Sequence, residues 1–448
     1  MSRLQEFYNG KIYPILVAAL VLCGHALALE ALFACLLTLL ILPACFLCNS
    51  LRFAVVPLLC GIFIVSAKDY SPSNVGYADR FLKPSALIPL IVSAILLIGG
   101  LVFFCIRNRK KRNALPRSRI LCGLALLCGA LAVNGLFSAN YTFQNLLFAL
   151  AFSLSLLGVY LLFALFYDFD EGSARDLLFH FALVAVLIFF ELLVAYATRV
   201  EFVNGAVVKG SVVLGWGVWT SVGGMLATLM PAAFSCAAKR GQGLFGVLLG
   251  LLIFFGVLLS QSRGALAVGA VILLLCLLVL CTRGENQRLC RFITAGLFAV
   301  GLLGLWIFRD TLRVLVSGAF ASGLSDNGRF EKWRIGWRNF KAYPVFGTGF
   351  YDSYVDPAWE MPLFPYLYHN TLIQLLAASG LIGFAAYAYH RITTFRLIFK
   401  SPSTEKYFLG LSMLALLLFS LADVLFFKIY PTLFYALILL FVERTDKT

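Results

Sequence analysis

Apolar runs of about 17 to 25 residues recur along nearly the whole chain, and each is long enough to cross a hydrocarbon core of about 30 Å as a helix. The chain is 61% hydrophobic and 13% charged, about half the charged fraction of a soluble domain. We therefore expect an all-α polytopic membrane protein with about 12–14 transmembrane helices, forming one integral membrane domain over residues 1–448. The predicted spans are 12–29, 31–48, 52–67, 86–106, 120–138, 144–167, 176–198, 212–238, 244–260, 264–281, 292–308, 370–388, 407–426 and 431–443.

The net charge of +15 could indicate a nucleic-acid partner, but the positions of the charges exclude this interpretation. With fourteen spans and a cytoplasmic N-terminus, 22 Lys and Arg residues fall on cytoplasmic segments and 14 on outer ones. The stretch 107–119 alone carries seven of the cytoplasmic charges. This asymmetry follows the positive-inside rule and predicts a multi-pass protein of the plasma (inner) membrane.

One connection is far longer than the others and is predicted to lie outside, over residues 309–368. Its aromatic content argues against disorder, and long loops are usually functional. The stretch 329–342 has aromatic residues at helical spacing, including Trp333, which predicts a helix that rests on the membrane surface. A second stripe on this helix is basic and could instead bind an anionic ligand; it consists of Arg334, Arg338 and Lys341.

Two further polar features fall at predicted outer turns. The apolar run 244–281 is interrupted at Gln261-Ser262-Arg263-Gly264, where Arg263 either extends its charged end to water or binds an anion. His369 and Asn370 stand at the N-terminus of a re-entering helix, where the helix dipole favours an anion and a neutral imidazole. His369 is therefore either an interfacial polar anchor or a base. Asp423, near another outer helix end, is expected to make a helix–helix hydrogen bond.

Topology places Arg263, the Arg329–Lys341 cluster and His369 at the same surface. Arginine recognises phosphate oxygens bidentately, and a neutral histidine can accept a proton from a sugar hydroxyl. A diphosphate that links a sugar to a lipid carrier would lie at this depth. The pattern predicts glycosyl transfer from such a carrier, with the diphosphate as leaving group.

The sequence resembles the O-antigen ligase and O-antigen polymerase superfamily in three features. His369-Asn370, nine residues and then Gly380-Leu381-Ile382-Gly383 follow the family's His-Asn … Gly-x-x-Gly pattern. Ser262-Arg263-Gly264 matches its Ser-Arg-Gly turn between two spans. The order of residues in its long outer loop is matched by Arg329, Trp333, Pro344 and Gly347-Thr348-Gly349. The resemblance is sharpest over 212–388.

The resemblance implies an inverting glycosyltransferase that acts at the outer face of the plasma membrane in surface polysaccharide biosynthesis. It would use neither a metal nor a cofactor. The donor would be an undecaprenyl-diphosphate-linked oligosaccharide, and the acceptor a glycan, lipid or protein. Arg263 and Arg329 would hold the diphosphate, while His369 would activate the acceptor hydroxyl or steady the leaving group. Arg334, Arg338, Lys341, Asn370 and Trp333 are the candidate substrate-binding residues. Asp352, Asp356 and Glu360 either touch acceptor sugar or balance the basic helix.

Two alternatives to this function stay open at the level of sequence. A transporter or flippase of lipid-linked sugars would require helices broken at mid-membrane and internal repeats, of which the sequence shows no convincing example. A membrane scaffold would leave the His369 motif unexplained. Within the enzyme class, these motifs do not distinguish a polymerase from a ligase, because both use the same donor.

Overall fold

The computed structural model describes residues 3–66, 68–71, 74–77, 84–116, 118–203, 206–307, 309–310, 328–351, 366–398 and 403–444. These residues are overwhelmingly helical, so the predicted all-α membrane fold is confirmed. The helices are α1 (Arg3–Asn9), α2 (Ile12–Leu27), α3 (Glu30–Leu47), α4 (Val55–Cys60), α5 (Pro84–Arg107), α6 (Arg119–Phe137), α7 (Phe143–Ser153), α8 (Val159–Phe166), α9 (Ser173–Thr198), α10 (Trp219–Ser235), α11 (Gly243–Leu259), α12 (Arg263–Arg283), α13 (Gln287–Ile307), α14 (Arg329–Ala342), α15 (Thr371–Ile398), α16 (Thr404–Phe419) and α17 (Ile429–Arg444).

Short helical and extended pieces connect these helices. The 3₁₀ turns are Leu51–Ala54, Gly61–Ile64, Arg109–Lys111, Lys209–Ser211, Cys236–Ala238 and Leu425–Phe427, and a π-turn, Leu154–Gly158, joins α7 to α8. Three two-stranded antiparallel hairpins consist of β1 (Lys68–Ser71) with β2 (Asn74–Tyr77), β3 (Phe202–Val203) with β4 (Ala206–Val207), and β5 (Val213–Leu214) with β6 (Gly217–Val218).

Within the described residues, eight helices are long and apolar enough to cross a membrane, or nine if α1 and α2, bent by 63°, form one span. They are Glu30–Leu47, Pro84–Arg107, Arg119–Phe137, Phe143–Phe166, Ser173–Thr198, Trp219–Ala238, Arg263–Arg283 and Thr371–Ile398. Each of the other predicted spans also contains helix, although Leu51–Ile64 and Gly243–Leu259 are shorter. The apolar runs therefore located the helices correctly.

The short segment Leu51–Ile64 nevertheless connects the two ends of the bundle. Arg52 contacts Asp168 and Asp170, just before α9 begins. Arg199, just after α9 ends, donates a hydrogen bond to the carbonyl oxygen of Ser66. Because α9 has 26 residues, about 39 Å of helix separates these two contacts. The segment itself rises only about 25 Å, even with the longer rise of its 3₁₀ turns, and the chain up to Ser66 and the long side chains of Arg52 and Arg199 bridge the rest.

Several predicted spans begin or end elsewhere than the hydropathy indicated, among them the one over 407–426, whose helix ends at Phe419. The span predicted over 212–238 starts as the β5–β6 hairpin, and helix begins only at Trp219. The hairpin is fixed because the indole of Trp216 donates a 2.8 Å hydrogen bond to Glu191 on α9. The span predicted over 370–388 continues as helix to Ile398. This extension is supported by a hydrogen bond between Nε2 of His390 and the Tyr435 hydroxyl, 2.8 Å apart.

The core lies between helices that are buried on nearly every side. α10 is the most enclosed of the long helices, since 83% of its most apolar 18-residue stretch is buried. It packs against α9, α11, α12 and α16. α15 packs along α6, while α17 closes the bundle against α8 and the π-turn. The hairpin β5–β6 at the start of α10, the turn before α12 and the loop between α16 and α17 meet at one end of this core.

Candidate active site

His369 and Asp423 form a hydrogen-bonded pair at this end of the bundle. Nδ1 of His369 lies 3.1 Å from Oδ1 of Asp423, which also accepts a 2.8 Å hydrogen bond from the backbone N–H of Val424. The Asp423 side chain is 4% exposed and that of His369 is 29% exposed. A carboxylate only accepts hydrogen bonds, so Nδ1 carries the hydrogen and Nε2 is left with a free electron pair. The pair thus presents Nε2 toward the open side.

The carboxyl of Asp423 is held in its ionised form. Burial raises the pKa of this carboxyl, but the positive charge of Lys428 and the hydrogen bond with His369 outweigh burial, so the pKa lies below its usual value. A hydrogen bond from the side chain of Thr220, the second residue of α10, lowers the pKa of Asp423 further. Asp423 therefore stays an acceptor for His369 at every pH near neutrality.

Lys332 stands on the other side of the imidazole. Its Nζ lies 3.3 Å from Nε2 of His369 and 5.9 Å from the centre of the Tyr366 ring. An ammonium has donors only, so this contact also requires an unprotonated Nε2. His369 is therefore held between an anion at Nδ1 and a cation at Nε2, a geometry that fits the neutral Nδ1–H tautomer.

The packing of α14 decides which of its residues face His369. A side chain at Gly336 would collide with Ile373 and would lie 2.9 Å from the Tyr368 ring, so glycine permits close contact with the start of α15. Asn339 adds a 2.9 Å hydrogen bond to the Tyr368 hydroxyl. Arg329 and Lys332 are seven and four residues before Gly336, which places both on this same face. Arg329 and Lys332 therefore line the side of α14 next to His369.

Three cations lie close together beside this pair. Burial of Lys209, in the 3₁₀ turn before β5, lowers the pKa of its ammonium, and the charges of Arg263 and Arg329 lower it further. Such an effect requires both arginines to be near Lys209. The stem of Lys209 is steadied because its Nζ lies 5.6 Å from the centre of the Trp219 ring. We call Lys209, Arg263 and Arg329 the cation cluster.

The turn before α12 fixes the direction of Arg263. Gln261 has a positive φ of 58°, which reverses the chain, and the hydroxyl of Ser262 caps α12 by accepting from Ala265 N at 3.3 Å. Gly223 lets α10 approach, because a Cβ there would lie 2.7 Å from that of Ala265. Arg263 is the first residue of α12 and is exposed at the edge of the turn.

The other predicted basic residues of α14 lie on a different face. Arg334 is 78% exposed at its side chain and pairs with Glu331 at 2.9 Å. Arg338 and Lys341 are also exposed, and Nζ of Lys341 lies 5.9 Å from the centre of the Trp337 ring. These three positions point away from His369, so the structure does not bring them into the cation cluster. Their role as substrate ligands stays a prediction.

Trp333 and Asn370, two further predicted substrate-binding residues, make contacts within the protein. The indole N–H of Trp333 is buried without a hydrogen-bond acceptor among the described residues, and its ring packs edge-on against Phe330 at 5.2 Å. The side chain of Asn370 caps α15, accepting from Leu372 N at 2.9 Å, and donates to Leu421 O at 3.1 Å. Asn370 thus ties α15 to the loop that carries Asp423, and its predicted contact with substrate stays a prediction.

Gly380, the first glycine of the His369 motif, interrupts the helical conformation of α15. Gly380 has φ 61° and ψ −161° inside the helix, and a Cβ there would collide with the Val345 carbonyl. Leu381 N donates to Pro344 O at 2.8 Å, and Thr348 N donates to Ala377 O at 2.9 Å. Residues 344–349 thereby satisfy the backbone groups that the break would leave unpaired.

Two hydrogen bonds close the chain on both sides of residues 352–365, which lie outside the described residues. Tyr366 N donates to Phe350 O at 2.7 Å, and Tyr351 N donates to Asn145 Oδ1 at 2.7 Å. The predicted acidic positions Asp352, Asp356 and Glu360 fall between these bonds and therefore outside the described residues as well. Among the residues that are described, no group of three or more His, Cys, Asp or Glu side chains could hold a metal ion.

Sequence reasoning did not assign Lys209, Lys332 or Asp423 to the site. Asp423 carried a signal, since it is an acid at the end of an apolar helix, but its partner was not evident. Lys332 could have been found from Gly336, four residues later, because a glycine marks the face on which a helix packs closely. Lys209 lies in a short loop and carries no local signal.

Residues 248–388 match the O-antigen ligase family. The match contains Arg263, Arg329 and His369, and the resemblance found in the sequence is confirmed. Lys209 and Asp423 lie outside the matched segment, although the structure brings both to it. Comparison with curated protein sequences finds no match. The chain is thus a multi-pass membrane protein with a domain of the O-antigen ligase/polymerase type.

Proposed function

We propose that the protein is a glycosyltransferase that transfers or polymerises undecaprenyl-diphosphate-linked glycans at the outer face of the plasma membrane. The observation that carries this proposal is that the helix face of Arg329, a member of the cation cluster, also carries Lys332, which contacts the His369–Asp423 pair. Glycosyl transfer from a diphosphate requires both parts, since one must hold the anionic leaving group and the other must accept a proton from the acceptor.

The cation cluster is suited to the diphosphate. Arg263 and Arg329 each offer a planar fork that binds two phosphate oxygens at once, and Lys209 adds a point charge near both arginines. Without an anion these three charges repel one another, and burial together with the two arginines lowers the pKa of Lys209. A bound diphosphate relieves that repulsion, and it stabilises the additional negative charge that the leaving group gains during transfer.

His369 supplies the base. The acceptor hydroxyl oxygen forms a bond to the anomeric carbon while its proton passes to Nε2 of His369. The bond between the anomeric carbon and the diphosphate oxygen breaks with both electrons going to that oxygen. A single displacement of this kind inverts the anomeric configuration. Asp423 stabilises the resulting imidazolium through Nδ1–H and keeps the ring in the orientation that exposes Nε2.

Lys332 links the two parts of the site. It shares a face of α14 with Arg329, one turn away, and its ammonium occupies Nε2 of His369 at 3.3 Å. An acceptor hydroxyl needs the same position. We therefore infer that the negative charge of a bound donor draws the Lys332 ammonium from His369 toward the diphosphate, so that the base becomes available only when donor is present.

The charges of the site supply what a divalent metal supplies in many phosphate-handling enzymes. The residues near the proposed diphosphate are cations, whereas Mg²⁺ and Mn²⁺ prefer carboxylate and water ligands. We accordingly propose that transfer is metal-independent and that the whole chain acts as one integral membrane domain.

The experiment that tests the proposed function uses the purified protein with undecaprenyl-diphosphate-linked repeat units. A ladder of longer glycans identifies a polymerase. A product that forms only when a second acceptor, such as a lipid A core, is added identifies a ligase. His369→Ala serves as the control for enzyme-dependent product. The proposal fails if neither condition consumes donor while vesicles containing the protein move the donor across the membrane, which would identify a transporter.

A further inference from the structure

Helix α14 exposes an aromatic and a basic face that the proposed site does not use. Trp337 is 45% exposed and its ring lies 5.3 Å from that of Phe340. Arg338 and Lys341 are exposed beside it, and Arg334 is 78% exposed at its side chain. Large apolar side chains gathered on one exposed helix face indicate an interaction surface.

Successive residues of a helix turn by about 100°, and this places the residues of α14 on three adjacent faces. The first face contains Arg329, Lys332 and Gly336 and packs against the site. The second contains Trp333, Trp337 and Phe340. The third lies beyond the aromatic face, opposite the site, and contains Arg334, Arg338 and Lys341. The aromatic face therefore separates the site from the basic face.

The position of α14 favours a lipid surface as the partner of the two exposed faces. α14 packs on Tyr368 and Ile373, at the start of α15, which is one of the helices long and apolar enough to cross a membrane. The helix thus lies at the end of the membrane bundle, where the bilayer surface is adjacent. Tryptophan is enriched at this depth, and cations beside it meet the headgroups.

We propose that α14 docks on the membrane surface, with Trp337 and Phe340 at the boundary of headgroups and acyl chains and with Arg334, Arg338 and Lys341 bound to the headgroups of anionic phospholipids. Three basic side chains against the single acid Glu331 give this face the charge that such headgroups complement. The docked helix holds Arg329 and Lys332 toward His369. This inference concerns a surface separate from the catalytic one and does not depend on the reaction.

Quenching of tryptophan fluorescence tests the docking directly. The protein is reconstituted in nanodiscs of phosphatidylcholine with about one third phosphatidylglycerol, a fraction at which attraction of basic residues to the anionic surface is strong. In one preparation the phosphatidylglycerol has brominated acyl chains, and in the other the same mole fraction of phosphatidylcholine is brominated. The contribution of Trp337 is the difference between the wild type and Trp337→Phe.

Because the attraction accumulates with each Lys or Arg, we expect brominated phosphatidylglycerol to quench Trp337 at least about twofold more than brominated phosphatidylcholine. The triple variant Arg334→Gln/Arg338→Gln/Lys341→Gln should lose this preference. The matched control, Arg109→Gln/Lys110→Gln/Lys111→Gln, removes the same charge from an exposed turn elsewhere and should retain it. High salt should abolish the preference of the wild type without any substitution.

Equal quenching by the two lipids in the wild type would overturn the proposal, because the basic face would then select no headgroup. A preference that survives both the triple variant and high salt would overturn it as well. Absence of quenching by either lipid would show that α14 stands away from the membrane, and an acceptor glycan would then be the partner of its aromatic face.

Discussion

The imidazole of His369 and the carboxylate of Asp423 lie 3.1 Å apart although 54 positions of chain separate them. Asn370 and Thr371 reinforce this contact, since the first donates to Leu421 O at 3.1 Å and the second donates through its backbone to Ser420 O at 2.9 Å. The start of α15 and the end of α16 are thus joined at three consecutive residues. The orientation of the base is consequently determined by backbone contacts as well as by its own hydrogen bond.

The first prediction separates the base from the cations. His369→Ala should lower turnover by roughly 10²–10⁴ while donor affinity changes little, because the substitution removes proton transfer and no diphosphate ligand. Donor affinity and turnover are measured at equal expression. His180→Ala, within α9 and away from the site, is the control and should be near wild type. Normal turnover of His369→Ala would contradict the assignment, and so would a loss of donor binding as complete as that of Arg263→Ala.

The second prediction concerns the carboxylate. Asp423→Asn keeps the shape of the side chain but removes the charge that stabilises the imidazolium, so turnover should fall at least about tenfold with donor affinity retained. The depressed pKa of Asp423 means that its stabilising contribution is present at neutral pH and is lost only as pH falls through the low native pKa. The loss of turnover in Asp423→Asn should therefore persist across the neutral range, and turnover measured at several pH values in that range checks this. An unchanged rate would exclude this role.

The third prediction addresses the forked geometry of the arginines. Arg263→Lys and Arg329→Lys retain charge but lose bidentate binding, so each should raise the donor KM substantially. Arg334→Lys is the matched control, because it lies on the same helix as Arg329 but is 78% exposed and faces away from His369. Michaelis constants for the donor provide the measurement. Equal effects of Arg329→Lys and Arg334→Lys would show that α14 does not bind donor through its inner face.

The fourth prediction follows from the crowding of charge around Lys209. Because burial and the two arginines lower its pKa, Lys209 loses its proton at a lower pH than an exposed lysine does. Donor affinity should then weaken as the solution becomes alkaline, and Lys209→Arg, which keeps its charge, should shift this loss to higher pH. Donor affinity measured across the alkaline range checks the sign. A shift to lower pH, or none, would remove Lys209 from the diphosphate site.

The fifth prediction tests the break in α15. Gly380→Ala should destabilise the protein by at least about 1–3 kcal/mol, because the backbone there has φ 61° and the added Cβ meets the Val345 carbonyl. Gly129→Ala, on α6, is the control, since a Cβ at Gly129 meets no atom within 4 Å. Thermal unfolding of the two variants in the same detergent gives the comparison. Similar melting temperatures would mean that the break is not required.

Orientation in the membrane can be checked independently of activity. We expect the site end of the bundle to lie outside, so Glu331→Cys should react with a membrane-impermeant thiol reagent and Lys111→Cys should not. Both side chains are exposed, and Glu331 is not among the residues proposed to bind headgroups. The opposite pattern of labelling would invert the topology and remove the proposed outer site.

Hydropathy located the helices because the cost of placing an unpaired backbone in lipid leaves few alternatives. It missed the β5–β6 hairpin and the break at Gly380, since both depend on a contact with distant residues, Glu191 and Val345. Counting spans predicted that Arg263, Arg329 and His369 lie at the same surface. In the structure both arginines are near Lys209, and His369 contacts Lys332, which is on the same helix as Arg329. The sequence could not show which face of α14 packs next to His369, because a stripe of aromatic or basic residues does not reveal which neighbouring element it contacts.

The hydrogen bond from Tyr366 N to Phe350 O brings together the parts of the chain on either side of residues 352–365. The flank before these residues is fixed by Asn145, which accepts a hydrogen bond from Tyr351 N, and the flank after them is fixed by Gln374 of α15, which accepts one from Tyr368 N. A change in the length of such a closed loop costs little, roughly 0.6 kcal/mol for each doubling. A change in the number of residues between these two flanks should therefore leave the cation cluster and His369 in place.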